Sequence, residues 1–123
     1  PNLAIVHNNL GIALFSEQKN EEAISNFKTA IKLMPNSTKA HYNLGIALFA
    51  ERKIDEAISH YKMAIKLKPY FTYAHYNLGI TLLQKRELKE AVHHFRETLK
   101  LRPGFVQARD YLELAMLKSR GIE

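Results

Sequence analysis

With 123 residues, 46% of them apolar, the chain is long enough to bury a core and too apolar to remain disordered. It has no cysteine, which excludes disulfides, thiolate zinc sites and cysteine nucleophiles while leaving the compartment open. The net charge of +6 permits an acidic partner, and no apolar run approaches the ~18 residues a membrane helix needs, so membrane insertion is not expected.

Pro1, Pro35, Pro69 and Pro103 recur at an interval of 34 residues, as do Gly11, Gly45 and Gly79, and Ala23, Ala57 and Ala91. The segment His41-Tyr42-Asn43-Leu44-Gly45-Ile46 returns unchanged at His75-Tyr76-Asn77-Leu78-Gly79-Ile80. A period of this length marks stacked supersecondary units. It predicts repeats over 4–37, 38–71 and 72–105 and a capping helix over 106–120, within one domain spanning 1–123. Pro1 stands in the column of a repeat-ending proline with no initiator methionine before it, so the chain is expected to be cut from a longer array.

In chain order, the first helix opens behind Asn2 and carries Leu3, Val6, Leu10 and Leu14 on one apolar face. With no earlier repeat to cover it, this edge is expected to associate with a second copy, each buried aliphatic side chain contributing ~1.5–3 kcal/mol. In the second repeat, Leu44, Ala47, Leu48 and Phe49 fall at helical spacing and predict a helix over 38–51. Ala57, Ile58, Tyr61, Ala64, Ile65 and Leu67 predict its partner over 54–67. The prolines stop each second helix because they lack an N–H. Asn2, Ser37 and Thr72 are predicted as N-caps. Gly45 is expected where the second helix crosses, facing Ala57 and Ala64, while Leu44, Tyr61 and Ile65 fill the space between hairpins. A helical glycine costs about 1 kcal/mol against alanine, so its recurrence implies close packing. From 106 onward Ala108, Leu112 and Ala115 repeat the first-helix pattern, with Glu113 in the glycine column, as suits a solvated terminal helix.

The order Asn-Leu-Gly (Asn43 to Gly45), Glu-Ala-Ile (Glu56 to Ile58), aromatic Tyr61, Ala-Ile-Lys-Leu (Ala64 to Leu67) and Pro69 resembles the tetratricopeptide repeat (TPR). The resemblance covers the whole chain. It implies an all-α fold of about seven helices, a right-handed α-solenoid of antiparallel hairpins, with first helices lining a concave groove and second helices forming the convex back. Two columns depart from the family. His7, His41 and His75 replace its usual tryptophan, and Gln18, Arg52 and Arg86 replace the usual glycine between the helices.

Asn9, Asn43 and Asn77 share one column, away from the Leu-Gly packing face. Asparagine is a mediocre helix former, and its amide both donates and accepts, so a row of them suits the backbone of an extended peptide. Family members resembling the arrays of O-linked sugar transferases use asparagines in this way. Beside them stand Ile12, Ile46 and Ile80, then Phe15, Phe49 and Leu83, flanked by Tyr42, Tyr73 and Tyr76, with Lys39 the main cation nearby. On the family's geometry these residues form a peptide-binding groove. The implied function is a protein-interaction scaffold that holds a peptide or partner segment. Alternatives are the substrate-recruiting segment of a larger enzyme and a self-assembling module. The cation clamp with which some family members hold chaperone tails is not expected: its columns hold Asn8, Ile12, Asn43, Tyr73 and Asn77, and only Asn43 matches.

The basic pairs Lys28 and Lys32, Lys62 and Lys66, and Arg96 and Lys100 each share a helix face. Glu21, Glu22, Asp55, Glu56 and Glu90 open the same helices, the distribution the helix dipole favours, so nucleic acid is not the expected partner. His7, His41 and His75 lie a whole repeat apart, too far for one metal ion, and His93 and His94 are expected to diverge. No phosphate loop, activated nucleophile or carboxylate pair is present. The chain is read as no enzyme, with no cofactor and no metal.

Overall fold

The residue before a proline is pushed out of the helical region by the proline ring, and this sets the pitch of the architecture. Met34, Lys68 and Arg102 precede Pro35, Pro69 and Pro103, and each is an extended C-cap with φ near −142, −142 and −144°. The computed structural model describes residues 2–122. Seven α-helices occupy them: α1 (Leu3–Ser16), α2 (Asn20–Leu33), α3 (Thr38–Ala50), α4 (Ile54–Leu67), α5 (Thr72–Lys85), α6 (Leu88–Leu101) and α7 (Val106–Ser119). The all-α fold class expected from the sequence is therefore observed. The predicted second helix 54–67 is α4, and the predicted ends of α3 and α7 each differ by one residue. Pro1, read as the end of a cut array, lies outside the described residues.

Two of the three predicted caps hold. Asn2 Oδ1 accepts from the N–H groups of Ala4 at 3.0 Å and Ile5 at 3.3 Å. Ser37 Oγ accepts from Ala40 N–H at 3.2 Å. Thr72 is instead the first residue of α5, behind Phe71, which makes no side-chain cap bond. Asn2 and Ser37 are one residue further apart than the repeat, so a third cap placed by the same step overshoots.

Inside each hairpin the turn is a six-to-one closure. The N–H groups of Lys19, Lys53 and Glu87 reach Leu14, Leu48 and Leu82 carbonyls at 2.9 Å. The preceding residues Gln18, Arg52 and Arg86 take φ of 62, 61 and 66°. These are the positions where the family's glycine is missing, and L-residues hold a left-handed backbone there at a cost of about 1–2 kcal/mol each.

The helices form two compact units, one ending at Pro69 and the other starting at Tyr70. In the first, α1 packs on α2 and α3 on α4, with α2 against α3. In the second, α5 packs on α6 and α6 on α7. The place of Tyr61 differs from the expectation. A Cβ on Gly11 would meet the Phe27 ring at 2.5 Å, and one on Gly45 or Gly79 would meet Tyr61 or Phe95 at 2.7 Å. Tyr61 therefore fills its own hairpin rather than the space between hairpins. Ala57 and Ala64 are fully buried as well, and the missing Cβ at each glycine makes room for a ring. Burial first, and then neighbouring Tyr42, push the Tyr61 phenol far above its ordinary range, so it stays neutral.

Candidate functional site

In the first unit the candidate residues lie on α1 and α3. Asn9 is exposed and Ile12 is 47% exposed, while Phe15, Tyr42, Asn43, Ile46 and Phe49 are partly buried and Lys39 is exposed. Asn43 is not a plain rung of a ladder. Its Nδ2 donates to Asn8 Oδ1 at 3.2 Å, and Asn8 is buried. The amide that sequence columns group with Asn9 thus ties α3 to α1, while Asn9 itself is exposed.

The edge of α1 is the second exposed apolar feature of this unit. Leu3, Val6 and Leu10 are 55, 50 and 46% exposed, and Leu14 is partly buried. One period later, Ala40, Leu44 and Leu48 occupy the columns of Val6, Leu10 and Leu14, and all three are fully buried. The same helix face is thus sealed in α3 and open in α1.

In the second unit, Ile80 and Leu83 of α5 join Tyr111 and Leu114 of α7 around an open cleft of about 380 Å³, with Gln84, Arg86 and Lys118 at its margin. Asn77 is partly buried. Tyr73 and Tyr76 line a second cavity of about 420 Å³ with Arg102, Gly104, Phe105, Val106 and Gln107. Ring centroids of Tyr76 lie 4.5 Å from Phe105 and 6.0 Å from Tyr111. Burial, and then the Tyr111 hydroxyl, raise the Tyr76 phenol above its ordinary value. Sequence columns did not reveal Arg102, Phe105, Tyr111 or Leu114. The available signal was the rise in aromatic content at the last junction: Tyr76 and Tyr111 stand in the columns that hold Asn8 and Asn43 in the first unit.

The histidines pair inside hairpins at a spacing of 19 residues. His41 Nε2 donates to the Pro35 carbonyl at 2.9 Å, which leaves His41 Nδ1 as acceptor, so His60 Nδ1–H donates to it at 3.0 Å. His75 and His94 repeat the contact at 3.0 Å. In the first repeat Asn26 stands in for the second histidine: its Nδ2 donates to the Glu22 carbonyl, and its Oδ1 accepts from His7 Nδ1 at 3.0 Å. Burial first, then His41, lower the His60 pKa from 6.5, with Lys28 adding and Glu56 opposing. His93 and His94 do not diverge, since their rings meet edge to face at 4.9 Å. Among the described residues no three His, Asp or Glu side chains converge as metal ligands.

The second-helix charges follow the dipole: Glu21 and Glu22 open α2, Asp55 and Glu56 open α4, and Lys32 and Lys66 close them. Lys28 reaches Glu56 at 4.0 Å and Lys53 reaches Glu21 at 3.5 Å, so neighbouring second helices share acid and base. No helix among the described residues is long and apolar enough to cross a membrane.

Comparison with known proteins gives one consistent family. A model described as TPR repeat matches residues 13–51, and one described as tetratricopeptide repeat matches 38–71 and 72–105. The first TPR of Spaghetti (RPAP3), solved bound to the HSP90 peptide SRMEEVD, is 24% identical with a TM-score of 0.93, over 96% of this chain and 94% of that one. The first TPR domain of human RPAP3 is 24% identical with a TM-score of 0.91, over 98% of this chain and 95% of that one. MamA is 28% identical with a TM-score of 0.93, over 99% of this chain and 71% of that one. A search among curated proteins gave no match.

Proposed function

The chain belongs to the tetratricopeptide repeat family, and on that premise we propose that it is a non-catalytic interaction module that holds an extended peptide or partner segment along its first-helix face. The observation that carries this reading is the α5–α7 cleft of about 380 Å³, where Ile80, Leu83, Tyr111 and Leu114 offer apolar seats with polar groups at the margin. Exposed Asn9 and Ile12 offer the same chemistry on α1. The HSP90 peptide belongs to the Spaghetti domain, whose likeness at 24% identity concerns fold alone. The clamp columns here hold Asn8, Ile12, Asn43, Tyr73 and Asn77, without a cation, and Asn8 and Asn43 bond to each other. Nucleic acid is not the partner proposed.

The test is a peptide-library selection on wild type and on an Ile12→Ser, Ile46→Ser, Ile80→Ser variant whose helicity is checked first. Peptides enriched by wild type and lost by the variant support the reading. Equal enrichment by both sinks it.

A second reading, favoured by the open face of α1, is association of that edge with another copy. Light scattering over a concentration series should show mass rising for wild type and constant for Leu10→Glu. A strict monomer at high concentration would overturn it.

A further inference from the structure

Arg102 is the C-cap of α6, its N–H bonded to the Thr98 carbonyl at 2.8 Å. Because Pro103 follows, the backbone turns extended there, and the side chain lies over two rings of its own unit. Its Cζ is 5.1 Å from the Phe105 centroid and 5.9 Å from that of Tyr73, and its Nη1 donates to the Tyr73 hydroxyl at 2.9 Å. Guanidinium is planar and weakly hydrated, so aromatic faces hold it without neutralising it. Among the described residues no carboxylate pairs with Arg102, and Asp110, one turn along α7 from Gln107, makes no ion pair with it. The cavity lining contains no acid, and neither does that of the adjoining cleft. Tyr73 and Val106 are 47 and 53% exposed, so the rim is apolar as well as cationic.

The scaffold does not require this arrangement. Where α1, α2 and α3 meet in the first unit, Ile5, Asn8, Met34 and Ser37 occupy the columns of Tyr73, Tyr76, Arg102 and Phe105. There the same helices pack with no cation and no ring at these positions.

We propose that this pocket takes the side-chain carboxylate of an aspartate or glutamate in an extended partner segment, with a neighbouring apolar side chain of that segment seated on Tyr73 and Val106. Arg102 has five N–H donors and spends one on Tyr73. The remainder form the fork that matches a carboxylate. Tyr73 accepts from Arg102, which leaves its own hydrogen to donate to the second carboxylate oxygen. Tyr76 touches both Phe105 of the pocket and Tyr111 of the cleft, so a segment in the cleft continues into the pocket. That continuity favours an internal side chain over a chain end. The proposal rests on the reading that the first-helix face binds a peptide, and it names the chemistry of that peptide.

The experiment uses the full chain and acetylated, amidated peptides in which Leu, Phe or Tyr adjoins Asp, Asn or Lys. Wild type should bind the Asp peptides about tenfold more tightly than the Asn peptides, a difference of about 1.4 kcal/mol. Arg102→Gln should lose that preference while keeping its affinity for the Asn peptides, and Arg102→Glu should turn the preference to Lys. Removing the amide cap to free a chain-end carboxylate should change nothing. An Asp preference that survives in both variants, or none in wild type, overturns the carboxylate pocket and leaves the peptide-binding reading standing. Tighter binding only with a free chain end overturns the side-chain assignment. If no peptide of any composition binds wild type, the peptide-binding reading itself falls, and this proposal with it.

Discussion

Gly79→Ala separates local helix chemistry from tertiary packing by the sign of its effect. Helix propensity alone favours alanine over glycine by about 1 kcal/mol, so an isolated-helix argument has the variant more stable. The structure argues the reverse. The new Cβ would stand 2.7, 2.8 and 2.9 Å from three atoms of the Phe95 ring, and that ring is fully buried with no exposed side to yield toward. Overpacking of a filled core costs about 1–3 kcal/mol, and three sub-contact distances put this site at the upper end. Taking both effects together, the variant should be destabilised by about 2 kcal/mol. For a chain of this size that lowers Tm by roughly 6–10 °C. Urea unfolding followed by helical circular dichroism measures it. Gly104→Ala, where an added Cβ meets nothing within 4 Å, is the control. Phe95→Leu should relieve the clash, so the double-mutant cycle should return a coupling of about 1 kcal/mol or more. A Gly79→Ala variant as stable as wild type, or more so, would refute the ring-on-glycine account of the hairpin.

Arg52→Gly should stabilise the chain by about 0.5–1 kcal/mol, because relief of the left-handed backbone exceeds glycine's added unfolded-state entropy; urea midpoints at Arg52 and the equivalent Gln18 check it. Asn43→Ala should cost about 1–2 kcal/mol by leaving buried Asn8 without its donor, whereas Asn9→Ala should be near neutral in the same assay. His60 has a folded pKa below 6.5, so the unfolded chain takes up the proton first. Its contribution to stability is full above 6.5 and is lost as pH falls from there through the folded value. His60→Asn, copying Asn26 of the first repeat, should keep neutral-pH stability within about 1 kcal/mol and flatten the fall of Tm on acidification; an unchanged pH dependence would show that the pair is not the sensor.

Helix positions were legible because their boundaries are local chemistry. A proline every 34 residues ends each second helix, and Asn2 and Ser37 start helices with their own side chains. The apolar positions Ile80 and Leu83 were legible for the same reason, since they follow the helical period of a single segment. The roles of Asn43, Tyr61 and Arg102 were not. Asn43 bonds across 35 residues, one more than the period, so column alignment grouped it with Asn9 instead of with its partner Asn8. Tyr61 is apolar enough for any core position, and only the distance to Gly45 shows which side of its helix it seals. Arg102 reads in sequence as one more basic residue at a helix end, but a turn carries it back over a ring 29 residues away.

By itself, then, the sequence determined the repeat, the seven helices and the family, because period, caps and prolines act within one or two turns of chain. The tertiary structure decided which amides are structural, how the histidines pair and where the Arg102 guanidinium meets aromatic faces. Those depend on which side chains from different helices come within contact distance, and close packing settles that to fractions of an ångström that no spacing rule encodes.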